Sequence, residues 1–104
     1  AIGARGVTSY PKTPTFRSEA WRRAVASLPC VLCYREGETQ AAHRNEGKGL
    51  AMKTHDAWTA ALCTQCHAEI DSGKAMTKAE RRARMDVAIL LTIKELAING
   101  LVRA

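Results

Sequence analysis

Apolar positions along the 104-residue chain fall into runs that each predict one element. Trp21, Ala24, Val25 and Leu28 recur at helical spacing, which predicts a short amphipathic helix over residues 19–28. Ser18 is a good N-cap and Glu19 places an acid where the helix dipole favours it. Pro29 stops the helix. Arg22 and Arg23 lie off the apolar stripe and are expected to face solvent or phosphate. Residues 34–43 read as a hairpin, with Gly37 in the turn and Thr39 to His43 as the return strand. Trp58 to Leu62 reads as a short buried strand. Thr64 is placed to cap a short helix carrying Cys66, His67, Ile70 and Asp71, which ends at Ser72-Gly73. Thr77-Lys78-Ala79-Glu80 is a capping box that opens the last helix. Ala83, Val87, Leu90 and Leu91 then lie on one side, Met85, Ile89, Ile93 and Leu96 on the other, and Asn99-Gly100 closes it. Apolar nearly all round, this helix is expected to be the main core element. Each large aliphatic it buries is worth roughly 1.5–3 kcal/mol before entropy is subtracted.

Composition narrows the class. A chain of this length holds one core. The 46% apolar and 25% charged fractions exclude wholesale disorder. Aromatic residues make up only 5% of the chain, so its core needs support from long helices, a metal, or both. No apolar run reaches the roughly 20 residues of a membrane span. No positively charged start followed by an apolar stretch is present, so no secretory signal is visible, and the cytoplasm of a bacterial host is the expected compartment. Residues 1–17 carry Arg5, Lys12 and Arg17 and no acid, with Gly3, Gly6, Pro11 and Pro14 among them. They read as an extended basic arm, ahead of one domain over residues 18–104. Residues 44–53 read as a polar, glycine-containing loop.

Four cysteines form two knuckles, Cys30-Val31-Leu32-Cys33 and Cys63-Thr64-Gln65-Cys66, separated by 29 residues. Two such knuckles complete a closed tetrahedral site, as structural zinc requires. Disulfides and free core thiols are the bland alternatives. Cys63-Thr64-Gln65-Cys66-His67 also matches the haem c attachment pattern, which would leave Cys30 and Cys33 without a role.

Four polar residues flank the knuckles. His67 and Asp71 are one helical turn apart and project from one face, so together they can hold a divalent ion. His43 can act as general base if the hairpin folds back over that helix. A partner must then fix its tautomer, and Asp56 is the nearest candidate. Each has a plainer reading. His67 has the chemistry of a zinc ligand or a surface residue, Asp71 of a solvated acid, and His43 of an exposed strand end. His55 is placed to substitute for Asp56.

Leu28-Pro29-Cys30-x-x-Cys33, Ala41-Ala42-His43-Arg44, Lys53-x-x-Asp56 and Leu62-Cys63-x-x-Cys66-His67-x-x-x-Asp71 together resemble the HNH, or ββα-metal, nucleases. The closest resemblance is to the small zinc-containing members of phages and prophages, over residues 18–73. It implies an α+β fold: a ββα-metal core with a four-cysteine zinc site, flanked by a short N-terminal helix and a long C-terminal helix. It implies that His43 activates water and that His67 binds the catalytic Mg²⁺ or Mn²⁺. Asp71 stands where many members have a second metal-binding histidine. Asp56 stands at the middle position, usually Asn, which holds the base or contacts the metal; its charge favours a direct metal role. Cys30, Cys33, Cys63 and Cys66 match the zinc ligands. Ala42 departs from the pattern, because many members carry another metal ligand there.

The implied activity is hydrolysis of DNA phosphodiester bonds. A net charge of +6 attracts a polyanion. Arg44, Lys48, Arg81, Arg82 and Arg84 are the expected phosphate contacts, with Arg44 placed to clamp the scissile phosphate. No segment presents a set of side chains for base readout. Targeting is therefore expected from a partner, and the resemblance implies a recombinase (RecA) filament during phage-linked recombination. The alternative is a non-catalytic zinc module that binds nucleic acid.

Overall fold

The structure, a computed structural model, describes residues 15–44 and 55–101. The predicted basic arm up to residue 14, the loop over residues 45–53 and the expected phosphate contact Lys48 lie outside the described residues. Five elements follow one another: α1 (Glu19–Ala26), β1 (Thr39–His43), β2 (Thr59–Cys63), α2 (Thr64–Ser72) and α3 (Lys78–Ile98). The fold is α+β, with a two-stranded sheet and three helices among the described residues.

Helix α1 starts as its sequence predicts, with Ser18 Oγ accepting from the Trp21 N–H. It ends two residues sooner than the apolar spacing suggests. The Ser27 hydroxyl donates to Ala24 O at 2.7 Å, a local bond that competes with the helical ladder, and Pro29 follows. Leu28 is buried all the same.

The predicted hairpin is corrected. Thr39–His43 is a strand, but its partner is β2, antiparallel, with Thr39 opposite Cys63 and His43 opposite Thr59. Residues 34–38 form no strand, because the backbone after the first knuckle is spent on that turn. Tyr34 N–H donates to Cys30 O and Cys30 N–H to Arg35 O. Tyr34 itself takes a left-handed φ of 65°.

Every residue of β2 is buried. Its outer edge is closed without a third strand: Ala61 N–H donates to Thr92 Oγ1 at 2.9 Å, and Ala61 O accepts from Val31 N–H at 2.9 Å. Pairing at the middle of an edge interrupts it as a template for another chain. Thr92 Oγ1 in turn donates to Ala88 O, so one hydroxyl ties α3 to the sheet.

Two helix details differ from expectation. The cap of α2 is Cys63, whose Sγ accepts from Cys66 N–H, and Thr64 is the first helical residue. The helix still ends at Gly73, where a Cβ would stand 2.5 Å from Glu69 O. Helix α3 has its capping box between Thr77 and Glu80, and closes on Asn99 with Gly100 at a φ of 70°. It is not buried all round. Met85, Ala88, Ile89, Thr92 and Leu96 pack inward, but Val87 and Leu90 remain 51% and 67% exposed. A sheet of only two strands covers one side of a 21-residue helix and leaves the other to water. Leu62, Leu96, Val25, Cys30 and Cys63 form the centre of the core. Among the described residues no helix is long and apolar enough to cross a membrane.

Candidate functional site

The β2–α2 junction and the first knuckle bring all four cysteines together. Their sulfur atoms lie within 4.8 Å of one another, and Cys33 Sγ is 3.6 Å from Cys63 Sγ. A tetrahedral zinc site with bonds of about 2.3 Å places its sulfurs about 3.8 Å apart. The cluster is thus compatible with structural zinc. All four thiols are free of disulfides. Gathered in one place, they leave no pair set apart for a haem. Burial opposes the charge on Cys30, but the backbone N–H groups of Cys63, Cys33 and Leu32 draw its thiol down to about 6. Burial and the neighbouring thiols push Cys66 well up. One thiolate forms readily and opposes the others, a conflict that a bound cation removes. His67 is not a member of this cluster.

His43 ends β1, and its Nε2 lies 2.8 Å from Asp56 Oδ1. Asp56 is fully buried. Its Oδ2 accepts from Ser18 N–H at 2.7 Å and from Arg22 Nε at 3.1 Å, and Arg17 stands 3.7 Å from Oδ1. Burial works against the carboxylate, yet the His43 hydrogen bond, the Ser18 N–H and the Arg22 charge hold its carboxyl below the ordinary value. The expectation that Asp56 takes a direct metal role is corrected, because both its oxygens are engaged and its side chain is 1% exposed. It orients His43 instead. Arg22 pairs with this buried acid while remaining exposed, and Arg23 pairs with Glu19 at 2.8 Å. The fold begins before residue 18: Phe16 O accepts from Asp56 N–H, and Phe16 N–H donates to His55 Nδ1. His55 is thus a loop tie and no substitute for Asp56.

This geometry carries a pH prediction. A carboxyl depressed in the fold contributes stability above its unfolded value and loses it as pH falls through the folded one. Stability is expected to decline as pH drops below 3.8, the ordinary value for Asp. Asp56→Asn cannot accept on both sides, since one oxygen becomes an NH₂. The variant is expected to be less stable at neutral pH and flatter through the acid range. Because acid also releases zinc from thiolates, thermal unfolding of the zinc-loaded proteins at pH 7 is the check, and an Asp56→Asn melting temperature equal to wild type would remove Asp56 from the account.

His67 and Asp71 meet on α2, with Nε2 3.2 Å from Oδ2. His67 Nδ1 is 2.7 Å from Gln40 Oε1, a partner with no sequence signal beyond its place on the strand of His43. The two histidines therefore belong to two separate pairs. Strand alternation puts His43 and Gln40 on opposite faces of β1, so the hairpin does not bring His43 into one hydrogen-bonded cluster with His67 and Asp71. Among the described residues the four cysteines are the only group of three or more donors close enough to hold an ion.

The basic residues are also partly committed. Arg44 makes a two-pronged contact with Asp86 of α3, at 2.9 and 3.3 Å, so its expected phosphate clamp is paired internally. Arg81 donates from Nη1 to Gly73 O and Met76 O at 3.1 Å and braces the α2–α3 loop. Arg82 and Arg84 are exposed on the first turns of α3.

Compared with known proteins, residues 7–99 match the family model DUF968, described as a protein of unknown function. No curated protein matches the chain, and no solved structure does.

Proposed function

The chain belongs to the DUF968 family, and we propose that it is a metal-dependent DNA endonuclease of the HNH type with a structural zinc. The observation that carries the reading is the His43–Asp56 pair: a half-exposed imidazole fixed at 2.8 Å by a buried carboxylate. Asp56 accepts the Nε2–H, which leaves the lone pair on Nδ1, and no described residue bonds that atom. His43 takes a proton from water through Nδ1 as the water oxygen bonds to phosphorus and the bond to the 3′ oxygen breaks.

The chemistry of His67 and Asp71 supports a divalent cation. Gln40 holds the His67 ring from its Nδ1 side, and an imidazole and a carboxylate one helical turn apart are ligand types that a divalent cation takes. Their separation of 3.2 Å is close to the roughly 3 Å between adjacent ligands of an octahedral ion with bonds near 2.1 Å. His67 and Asp71 would hold Mg²⁺ or Mn²⁺, which would supply charge neutralisation at the phosphate, and Ala42 would add no further donor.

Net charge +6 draws DNA in without sequence readout. A recombinase (RecA) filament is the proposed source of targeting. Incubating zinc-loaded protein with supercoiled plasmid and with single-stranded circles, in Mg²⁺ or Mn²⁺, with and without the filament, tests the reading. Cleavage that requires the ion supports it.

The separation of the two histidine pairs, with no donor at Ala42, favours a second reading: a zinc module that binds nucleic acid without cleaving it. That reading predicts DNA binding with no ion-dependent cleavage under any of these conditions.

A further inference from the structure

Trp58 is 49% exposed, although the five residues that follow it in β2 are all buried. Single exposed apolar residues are ordinary on protein surfaces. Trp58 differs in what surrounds it and in how firmly it is held. Its N–H donates to His55 O, and its carbonyl accepts from Arg44 N–H at 3.0 Å. The Arg44 bond carries the β1–β2 ladder one step past His43 and Thr59. Arg44 and Trp58 therefore oppose each other and project to the same side of the sheet. The turn that presents Trp58 is the one that buries Asp56, and it is fastened by Thr59 Oγ1 donating to Asp56 O at 2.8 Å and by Asp56 N–H donating to Phe16 O. An exposed indole on a hydrogen-bonded backbone thus lies opposite Arg44, next in the chain to the cross-strand partner of His43 and, by strand alternation, on the other face of the sheet from His43. The exposed apolar residues of α3, Val87, Leu90 and Ile98, have no such setting.

A flat aromatic face beside cationic side chains is the arrangement that holds unpaired bases, because every base has a π-face while paired bases in a duplex are stacked on one another. Arg17 and Arg22 outnumber Asp56, their shared acidic partner at this sheet end, and the net charge of +6 favours a polyanion, although Arg44 itself is paired with Asp86. We propose that Trp58 is a stacking platform for an unpaired nucleobase, so that the strand at this site is single-stranded; the identity of the site as a hydrolytic centre rests on the function proposed above.

The test measures affinity of the full, zinc-loaded chain for a labelled oligothymidylate, for a strand of the same length lacking all bases, and for a duplex, by fluorescence anisotropy without divalent ions. Wild type is expected to bind oligothymidylate about tenfold more tightly than the baseless strand, and more tightly than the duplex. Trp58→Leu keeps an apolar side chain without the ring and is expected to remove that preference while leaving affinity for the baseless strand unchanged. Trp58→Phe is expected to retain most of it. Equal wild-type affinity for the two strands, tighter binding of duplex, or a Trp58→Leu protein that keeps the preference would each overturn the proposal. Cleavage by wild type and His43→Ala, measured in parallel, separates the two ideas. A base preference without cleavage leaves the platform standing and removes the hydrolase, and the reverse result does the opposite.

Discussion

Stripping the ion from the cysteine cluster is expected to unfold the whole domain. Cys30 and Cys63 are not appended to the core; they are among its largest fully buried side chains, beside Leu62, Leu96 and Val25. The first knuckle also closes the edge of β2 through Val31, and the second supplies the cap of α2 through Cys63. The apolar centre is modest, since three of the five residues of β2 are alanine or threonine at its buried positions 59–61. Domains are stable by only about 5–15 kcal/mol, whereas structural zinc contributes apparent binding free energies of about 10–16 kcal/mol at neutral pH. Loss of the ion therefore exceeds what the remaining contacts supply. Under reducing conditions, chelator-treated protein and Cys30→Ser are expected to show no cooperative thermal transition, with zinc content measured alongside. A chelated, zinc-free protein that keeps the wild-type melting temperature would show that the cysteines are ordinary core thiols.

Asp71→Ala is expected to separate cleavage from binding. The carboxylate is 41% exposed and its partner His67 29% exposed, so the pair adds little to stability, about 0–1 kcal/mol for exposed ion pairs. The fold and the zinc should survive the change. If the pair holds the catalytic cation, its loss removes several kcal/mol of charge stabilisation at the reacting phosphate, about two orders of magnitude in rate or more. Affinity for DNA is expected to stay near wild type, since the proposed contacts are the arginines and Trp58. Gln40→Ala acts at one remove by freeing the His67 ring, and a rise of about 10–100-fold in the Mn²⁺ concentration needed for cleavage is expected. Cleavage rates across a Mn²⁺ titration, with DNA affinity measured separately, check both variants. A loss of binding in proportion to activity would instead assign Asp71 to substrate contact.

Much of the local structure is legible in the residues because it is set by short-range chemistry. Ser18 and the Thr77–Glu80 pair mark helix starts through bonds made within one turn. The two knuckles mark the metal cluster through ligand type and spacing alone. What the chain conceals is long-range. Nothing local says that Thr39–His43 pairs with Thr59–Cys63 rather than with the residues just before it, since both options satisfy the alternation. Nor does Arg22, a charged residue off an apolar stripe, announce that it lies against a buried carboxylate 34 residues away. Gln40 and Asp86 escaped notice for the same reason: each acquires a role only when another element arrives beside it. The breadth of apolar positions in α3 misled in the opposite direction. Burial depends on how much partner surface exists, and two strands do not surround a helix.

The His43→Ala variant bears most directly on the proposed hydrolysis. Rates of conversion of supercoiled plasmid to nicked circles, in Mg²⁺ and in Mn²⁺, are to be compared for wild type and His43→Ala, both carrying stoichiometric zinc. General-base catalysis is worth about 10²–10⁴-fold, so the wild type is expected to nick and the variant, still folded at the assay temperature but melting lower for want of the Asp56 partner, to be slower by at least about 100-fold with DNA affinity unchanged. Equal rates in the two proteins, or no nicking by zinc-loaded wild type with either ion or with the recombinase filament present, would contradict the account.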